Sequence, residues 1–180
     1  GEQPTGQVAI ITATLTAANQ NDWIKHMKAR LEDYPGLELV TVKPSNEDQK
    51  LAFQVAQDLM KAYPDLKGIF GISSVSFPGA AEAVRQAGKS GEILVTGLST
   101  PNNMREYVED GTVKSVVLWD TEALGQLTVY TAEALATGKL TETSTKLETD
   151  ALGANPIEGD NVLLGEILVF TKENIAEYNF

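Results

Sequence analysis

Short apolar runs alternate with amphipathic stretches from one end of the chain to the other. Six of these runs read as strands: Gln7–Ala13, Glu38–Val42, Gly68–Ile72, Ile93–Gly97, Lys114–Leu118 and Glu166–Phe170. After each of the first five the apolar spacing changes from that of a strand to that of a helix. In the first helix, near Asn21–Asp33, Trp23, Ile24, Met27 and Leu31 fall on one side, and in the second, near Asn46–Ala62, Leu51, Val55 and Leu59 do the same. Strands and helices in strict alternation predict an α/β fold: a mostly parallel sheet between two helical layers, a three-layer αβα arrangement.

The punctuation agrees with this division. Thr100 before Pro101 supplies a capping hydroxyl and a first-turn proline, and Gly111 is placed to end that helix. Gly88 and Gly138 are placed to close two others, and Asp120 to cap a helix beginning at Thr121. No internal repeat or low-complexity block occurs. Thr141–Thr149 is polar and reads as an exposed connection.

Composition narrows the function classes. At 180 residues and 42% hydrophobic the chain is long enough for one well-buried α/β domain and short for two. With 25 acidic against 14 basic residues the formal charge is −11, and no Lys/Arg run interrupts it, so nucleic acid and anionic membrane surfaces are disfavoured as partners. Cysteine is absent, which removes disulfides and thiolate chemistry, and a single histidine, His26, rules out a multi-histidine metal site. No window approaches the ~18 apolar residues of a membrane helix. The opening Gly1-Glu2-Gln3-Pro4-Thr5-Gly6 reads as a fragment cut at a loop, so the lack of a leader peptide carries no information on compartment.

In an open parallel sheet, ligands bind beyond the carboxyl ends of the strands. That rule selects Thr14–Trp23 after the first strand, Ser73–Pro78 after the third, Ser99–Asn103 after the fourth, and Trp119-Asp120 after the fifth. Amides, hydroxyls, one carboxylate and aromatics suit a neutral polyol: the polar groups exchange hydrogen bonds with ring hydroxyls while an aromatic face covers the C–H patch. Catalysis is poorly served. Ser73, Ser74 and Ser76 sit in no G-x-S-x-G elbow, and neither a phosphate loop nor a G-x-G-x-x-G fingerprint follows a strand, so the chain reads as a binder without cofactor or metal rather than an enzyme.

Each candidate also has a plain structural reading. Asn19-Gln20-Asn21 could serve helix initiation, Trp23 reads as a core anchor, and His26 as a solvated helix residue. Pro78-Gly79-Ala80-Ala81 could simply start a helix with room for close packing, or turn that helix terminus toward a ligand. Asp120 could act only as a cap.

Four stretches carry a family resemblance: Thr14-Leu15-Thr16-Ala17-Ala18-Asn19-Gln20-Asn21-Asp22-Trp23, Gly97-Leu98-Ser99-Thr100-Pro101-Asn102, Val117-Leu118-Trp119-Asp120 and Phe170-Thr171-Lys172-Glu173-Asn174-Ile175. In that order they resemble the type I periplasmic sugar-binding proteins of ABC importers, in particular the branch of rhamnose-binding and autoinducer-2-binding proteins. The resemblance implies two α/β lobes that close on a small sugar or sugar-like signal and deliver it to the membrane permease subunits. It implies a periplasmic or extracellular location, with a lipid anchor in the full-length protein. The same fold also serves as the sugar-sensing effector domain of repressors and receptors.

By that resemblance Asn19 and Gln20 take the place of an Asp-Gln ligand pair and Pro78 and Ala80 the place of a Pro-x-Ala segment completing the pocket, while Trp119 and Asp120, candidates from their place after the fifth strand, end the third resembling stretch. Asn at the first position removes a carboxylate acceptor and counts against autoinducer-2 itself. Family members are longer, with an N-terminal lobe ahead of the segment represented here. The resemblance therefore divides the chain into a C-terminal ligand-binding lobe (1–118), a hinge and helix that pack on the other lobe (119–140), and a return segment with a final strand and helix (141–180). The apolar face of Thr121–Gly138, with Leu124, Leu127 and Leu135, is then expected to be exposed or covered by a second copy of the chain.

Overall fold

Five helices follow the first five strands in a computed structural model that describes residues 3–180. The order is β1 (Gly6–Thr12), α1 (Ala18–Leu31), β2 (Leu37–Pro44), α2 (Gln49–Ala62), β3 (Leu66–Gly71), α3 (Ser76–Gln86), β4 (Leu94–Gly97), α4 (Pro101–Glu109), β5 (Val116–Leu118) and α5 (Thr121–Ala136). Then come β6 (Lys146–Thr149), β7 (Gly153–Glu158), β8 (Asn161–Val162), β9 (Leu168–Phe170) and a 3-10 turn at Ile175–Glu177. The expected α/β class with a mostly parallel sheet is the one observed. Strands β2-β1-β3-β4 form one parallel sheet, single bridges such as Leu98–Val117 continue it toward β5, and β5 pairs with β9.

The chain forms two compact units, one running up to Val117 and resumed at Val169–Phe180, the other Leu118–Leu168. In the first, the step from β1 to β2 runs opposite to the steps from β2 to β3 and β3 to β4. Right-handed crossovers therefore put α1 on one face of the sheet and α2, α3 and α4 on the other. Under α1 lie Ile10, Ile24 and Ile72, flanked by Met27, Leu39, Val42 and Phe70. Trp23 is only half-buried, so the core-anchor reading is corrected: Ile24 takes the inward position instead.

On the other face three glycines set the spacing. A side chain at Gly79 would meet the Gln49 carbonyl at 2.6 Å and Ala52 Cβ at 2.7 Å; one at Gly71 would meet the Phe77 nitrogen at 2.7 Å; one at Gly97 would run into the Gly71 carbonyl. Helix α3 is thus pressed against α2 and the end of β3. This closeness explains why α2 buries Ala52 and Ala56 together with Leu59, leaving Leu51 and Val55 half-buried beside them. Capping follows expectation. Thr100 accepts from the Asn103 N–H, and Gly88, Gly111 and Gly138 take positive φ (68°, 84° and 72°) just after their helices.

Arg85 fastens α3 to α4. Its guanidinium donates to Glu106, Asp110 and Glu82 and lies 4.6 Å from the centre of the Tyr107 ring. Burial alone would raise the Glu82 carboxyl, but hydrogen bonds from Gln86 and Arg85 outweigh it and hold the group below its ordinary range. Asp110 is lowered against the same penalty of burial, through bonds from Thr112 and Arg85. The Tyr107 hydroxyl is pushed up to about 12, first by burial and then by the charge of Glu82.

The second unit contains what the sequence pattern missed. Residues 146–149, expected as exposed connection, form β6, which pairs antiparallel with β7, and β7 with β8. Leu147 packs on Leu127 and Ala134 of α5, with Tyr130, Leu140, Leu152, Val162 and Leu164 around them. Leu127 is therefore covered within this unit, correcting its inclusion in an uncovered stripe, whereas Leu124, Val129 and Leu135 are 41%, 68% and 59% exposed. In place of the terminal helix expected after β9 the chain makes only the 3-10 turn, where Ile175 is buried and Phe170 and Tyr178 stack edge to face. Asn102 N–H and Arg105 bond the carbonyls of Phe180 and Tyr178, so contact with α4 replaces helical continuation.

Gly79→Ala should lower the urea-unfolding free energy by about 1–3 kcal/mol through overpacking. Gly125→Ala, exposed and helical with open space at its Cβ, should instead raise it by up to about 1 kcal/mol. Because Glu82 and Asp110 are held below their unfolded values, their contribution is complete only above about pH 5 and disappears as pH falls through the folded values. Arg85→Ala should therefore destabilise the protein by roughly 1 kcal/mol at neutral pH and flatten the acid limb of stability, measured as urea midpoints across an acid pH series.

Candidate functional site

The carboxyl edge of the parallel sheet carries an unusual concentration of buried polar groups. Among the described residues eight polar side chains are buried, and six of them, Thr12, Gln20, Ser45, Ser73, Ser76 and Ser99, stand at this edge. None of the six is ionisable. Burying an uncharged donor or acceptor is costly unless it is bonded, so their bonding pattern shows what each does.

At the end of β1, the Gln20 carbonyl oxygen accepts from the Ala13 N–H at 2.7 Å and from the Thr12 hydroxyl. Asn21 donates through Nδ2 to the Leu15 carbonyl at 3.0 Å, tying the first turn of α1 to the loop before it. The N-cap of α1 is Ala17, with no side-chain capping bond. The helix-initiation reading of the three amides is therefore corrected: they lie inside the first turn, and none caps it. Asn19 is exposed, and among the described residues its side chain has no hydrogen-bond partner that would account for it.

After β2, Ser45 N–H and Asn46 N–H donate to the carbonyls of Thr12 and Ala13 at 2.8 and 2.7 Å. The chain then passes through two consecutive left-handed residues, Asn46 (φ 52°) and Glu47 (φ 57°), a conformation that costs roughly 1–2 kcal/mol per non-glycine residue. The Ser45 hydroxyl shares a hydrogen bond with Ser76 (2.9 Å), which shares another with Ser73 (2.7 Å). Ser99 donates to the Ser74 carbonyl at 3.1 Å, joining the end of β4 to the same web.

Of the residues singled out from the sequence, Asn19, Gln20, Pro78 and Ala80 come to this one edge. Pro78 and Ala80 lie in the first turns of α3 and are buried, Ala80 completely. Trp119 and Asp120 follow β5 and belong to the second unit. Trp119 is half-buried; Asp120 is exposed and caps α5, its Oδ1 accepting from the Ala123 N–H at 2.9 Å. Sequence reasoning passed over Thr12, counted as strand, and Ser45, in the one βα loop left without candidates. The available signal was position: each is a small hydroxyl residue where a buried strand gives out.

The chemistry of this edge is that of a neutral binding surface. Each serine hydroxyl meets another hydroxyl, an amide or a carbonyl, and none meets an imidazole, carboxylate or amine that could take its proton. His26 lies farther along α1, exposed, 3.8 Å from Asp22. Among the described residues no group of three or more His, Cys, Asp or Glu is placed to hold a metal ion, and no helix is long and apolar enough to cross a membrane.

Comparison with known proteins agrees with the fold. The family model of a periplasmic binding protein domain matches residues 1–140. The D-allose-binding periplasmic protein of Escherichia coli (strain K12) is 28% identical over 120 residues, 67% of this chain and 39% of that protein. A solved sugar ABC transporter protein from Actinomyces odontolyticus is 37% identical with a TM-score of 0.84, covering 98% of this chain and 58% of its own. A solute-binding protein from Clostridium phytofermentas solved with bound L-rhamnose is 28% identical with a TM-score of 0.85, covering 96% and 59%. The chain thus spans 39% to 59% of the length of these relatives.

Ser76→Ala deletes the middle hydroxyl of the web and leaves Ser45 and Ser73 without their shared partner. It should cost about 1–3 kcal/mol in chemical denaturation, whereas Asp120→Ala should cost about 1 kcal/mol as a lost helix cap.

Proposed function

Because the chain belongs to the periplasmic binding protein domain family, we propose that it is a ligand-binding lobe of the solute-binding component of an ABC sugar importer. It performs no chemistry on its ligand. The observation that carries this reading is the concentration of uncharged buried donors and acceptors at the carboxyl edge of the sheet, with exposed Asn19 in front of them. Such a surface exchanges hydrogen bonds with the hydroxyls of a small monosaccharide, of rhamnose or autoinducer-2 type, and repels nothing neutral.

In this reading Asn19 and Gln20 contact the ligand, and buried Pro78 and Ala80 shape the floor behind it. Trp119 and Asp120 are separate candidates for ligand contact on the second unit, where Asp120 has one oxygen engaged as a helix cap. A second α/β lobe outside this chain completes the pocket, and closure is favoured because the ligand bonds both lobes only in the closed state. The closed form is what the permease subunits recognise, in the periplasm or outside the cell, with the full-length protein held by a lipid anchor. The exposed side of α5, with Leu124, Val129 and Leu135, is the surface this second lobe covers; without that lobe, a second copy of the chain covers it.

Calorimetric titration of the two-lobed protein with L-rhamnose, D-ribose, D-allose and autoinducer-2 tests the proposal. One of these should bind, and Asn19→Ala should weaken it at least about tenfold, the equivalent of about 1.4 kcal/mol, with an unchanged melting temperature. Folded protein that is silent across the panel would remove the sugar-import reading.

A further inference from the structure

Gln20 is 7% exposed and its side-chain orientation is dictated by chemistry. A backbone N–H can only donate, so the Gln20 atom 2.7 Å from the Ala13 nitrogen is the carbonyl oxygen and not the amide nitrogen. That oxygen is also met by the Thr12 hydroxyl, whose single proton must then point to it. Among the described residues the only other acceptor near this hydroxyl, the Thr14 carbonyl, is 3.5 Å away. Thr12 itself is completely buried, so no water competes for its proton. Two donors therefore hold one acceptor, and a flip of the amide would set Nε2 against the Ala13 N–H.

The result is a side chain with its accepting half consumed and its donating half spared: Nε2 has no hydrogen-bond partner among the described residues. We infer that Thr12 is a positioning residue that locks Gln20 as an obligate donor, so that this point of the site reads a ligand oxygen lone pair and rejects a group that can only donate. The inference rests on the sugar-binding reading of this edge and adds a direction to it. An unlocked glutamine would match either polarity at the cost of ordering its amide on binding; the locked one has that order in advance.

The test uses the 15N-labelled two-lobed protein with Thr12→Val, which keeps the branched shape and removes the proton, and Thr12→Ser, which restores the hydroxyl. The Gln20 side-chain NH2 resonances are followed without ligand and during titration with L-rhamnose, D-ribose and D-allose. Thr12→Val should displace or broaden the Gln20 pair while Thr12→Ser leaves it near its wild-type position. The sugar that binds should shift that pair, and its affinity should fall roughly three- to tenfold in Thr12→Val and recover in Thr12→Ser. An undisturbed Gln20 pair in Thr12→Val overturns the lock, whatever the sugars do. Sugar-induced shifts at Asn19 and Ser99 that bypass the Gln20 pair overturn its donor role and leave the proposed function standing. If no sugar shifts any resonance, the proposed function fails and the donor role with it, while the ligand-free comparison still decides whether Thr12 holds the amide.

Discussion

Everything at the sheet edge depends on how closely α3 approaches it. The first turn of α3 reaches the end of β3 because Gly71 has no side chain and slides against α2 because Gly79 has none, while Gly97 lets the end of β4 close on the Gly71 carbonyl beneath it. Only at that distance can the Ser76 hydroxyl join Ser73 to Ser45. Ser45 in turn donates its N–H to the Thr12 carbonyl, so the ends of three elements are tied at the residue that orients Gln20. Backbone contact between a helix and a sheet is an expensive arrangement to encode in three places. Its return is a set of neutral polar groups whose directions are fixed before any ligand arrives.

Much of the framework was legible in the chain. Continuous apolar runs such as Val8–Ile11 are recognisable because a strand buried on both faces has no polar alternation to confuse it with an amphipathic helix, and the glycines after α3, α4 and α5 mark their ends by a conformation other residues resist. Legibility failed wherever a tertiary contact outranked a local preference. Ala52 and Ala56 lie innermost on α2 because of Gly79, which comes from another element. The hairpins of the second unit bury essentially one apolar side chain from β6, Leu147, and an asparagine from β7, too little to register as strand patterning. The three amides of α1 looked like caps because Asn commonly is one; which amide faces a strand end depends on the register of the whole helix.

The candidate site was legible in part for the same reason. Its location follows from topology, since the carboxyl edge of a parallel sheet collects loops and helix starts. The roles within it do not. Gln20 and Asp120 both bear groups suited to a hydroxylated ligand, yet each spends an oxygen on the protein itself, one at a strand end and the other at a helix start. Thr12 and Ser45 carry only small hydroxyls at strand ends, and these bond the Gln20 oxygen and the Ser76 hydroxyl respectively.

The polarity of the site has a consequence for selectivity. A sugar hydroxyl can donate and accept, so an edge of freely rotating hydroxyls and amides would accept many isomers by reorienting itself. Here the serine web consumes most of its own freedom: with Ser76 shared between Ser45 and Ser73, and Ser99 committed to a carbonyl, few protons remain to be redirected. An immobile pattern of donors discriminates because a ligand whose oxygens are misplaced leaves a buried group unpaired, which costs more than a good bond gains. In the proposed function, the rigidity of this polar edge, inherited from its close packing, is the physical source of selectivity.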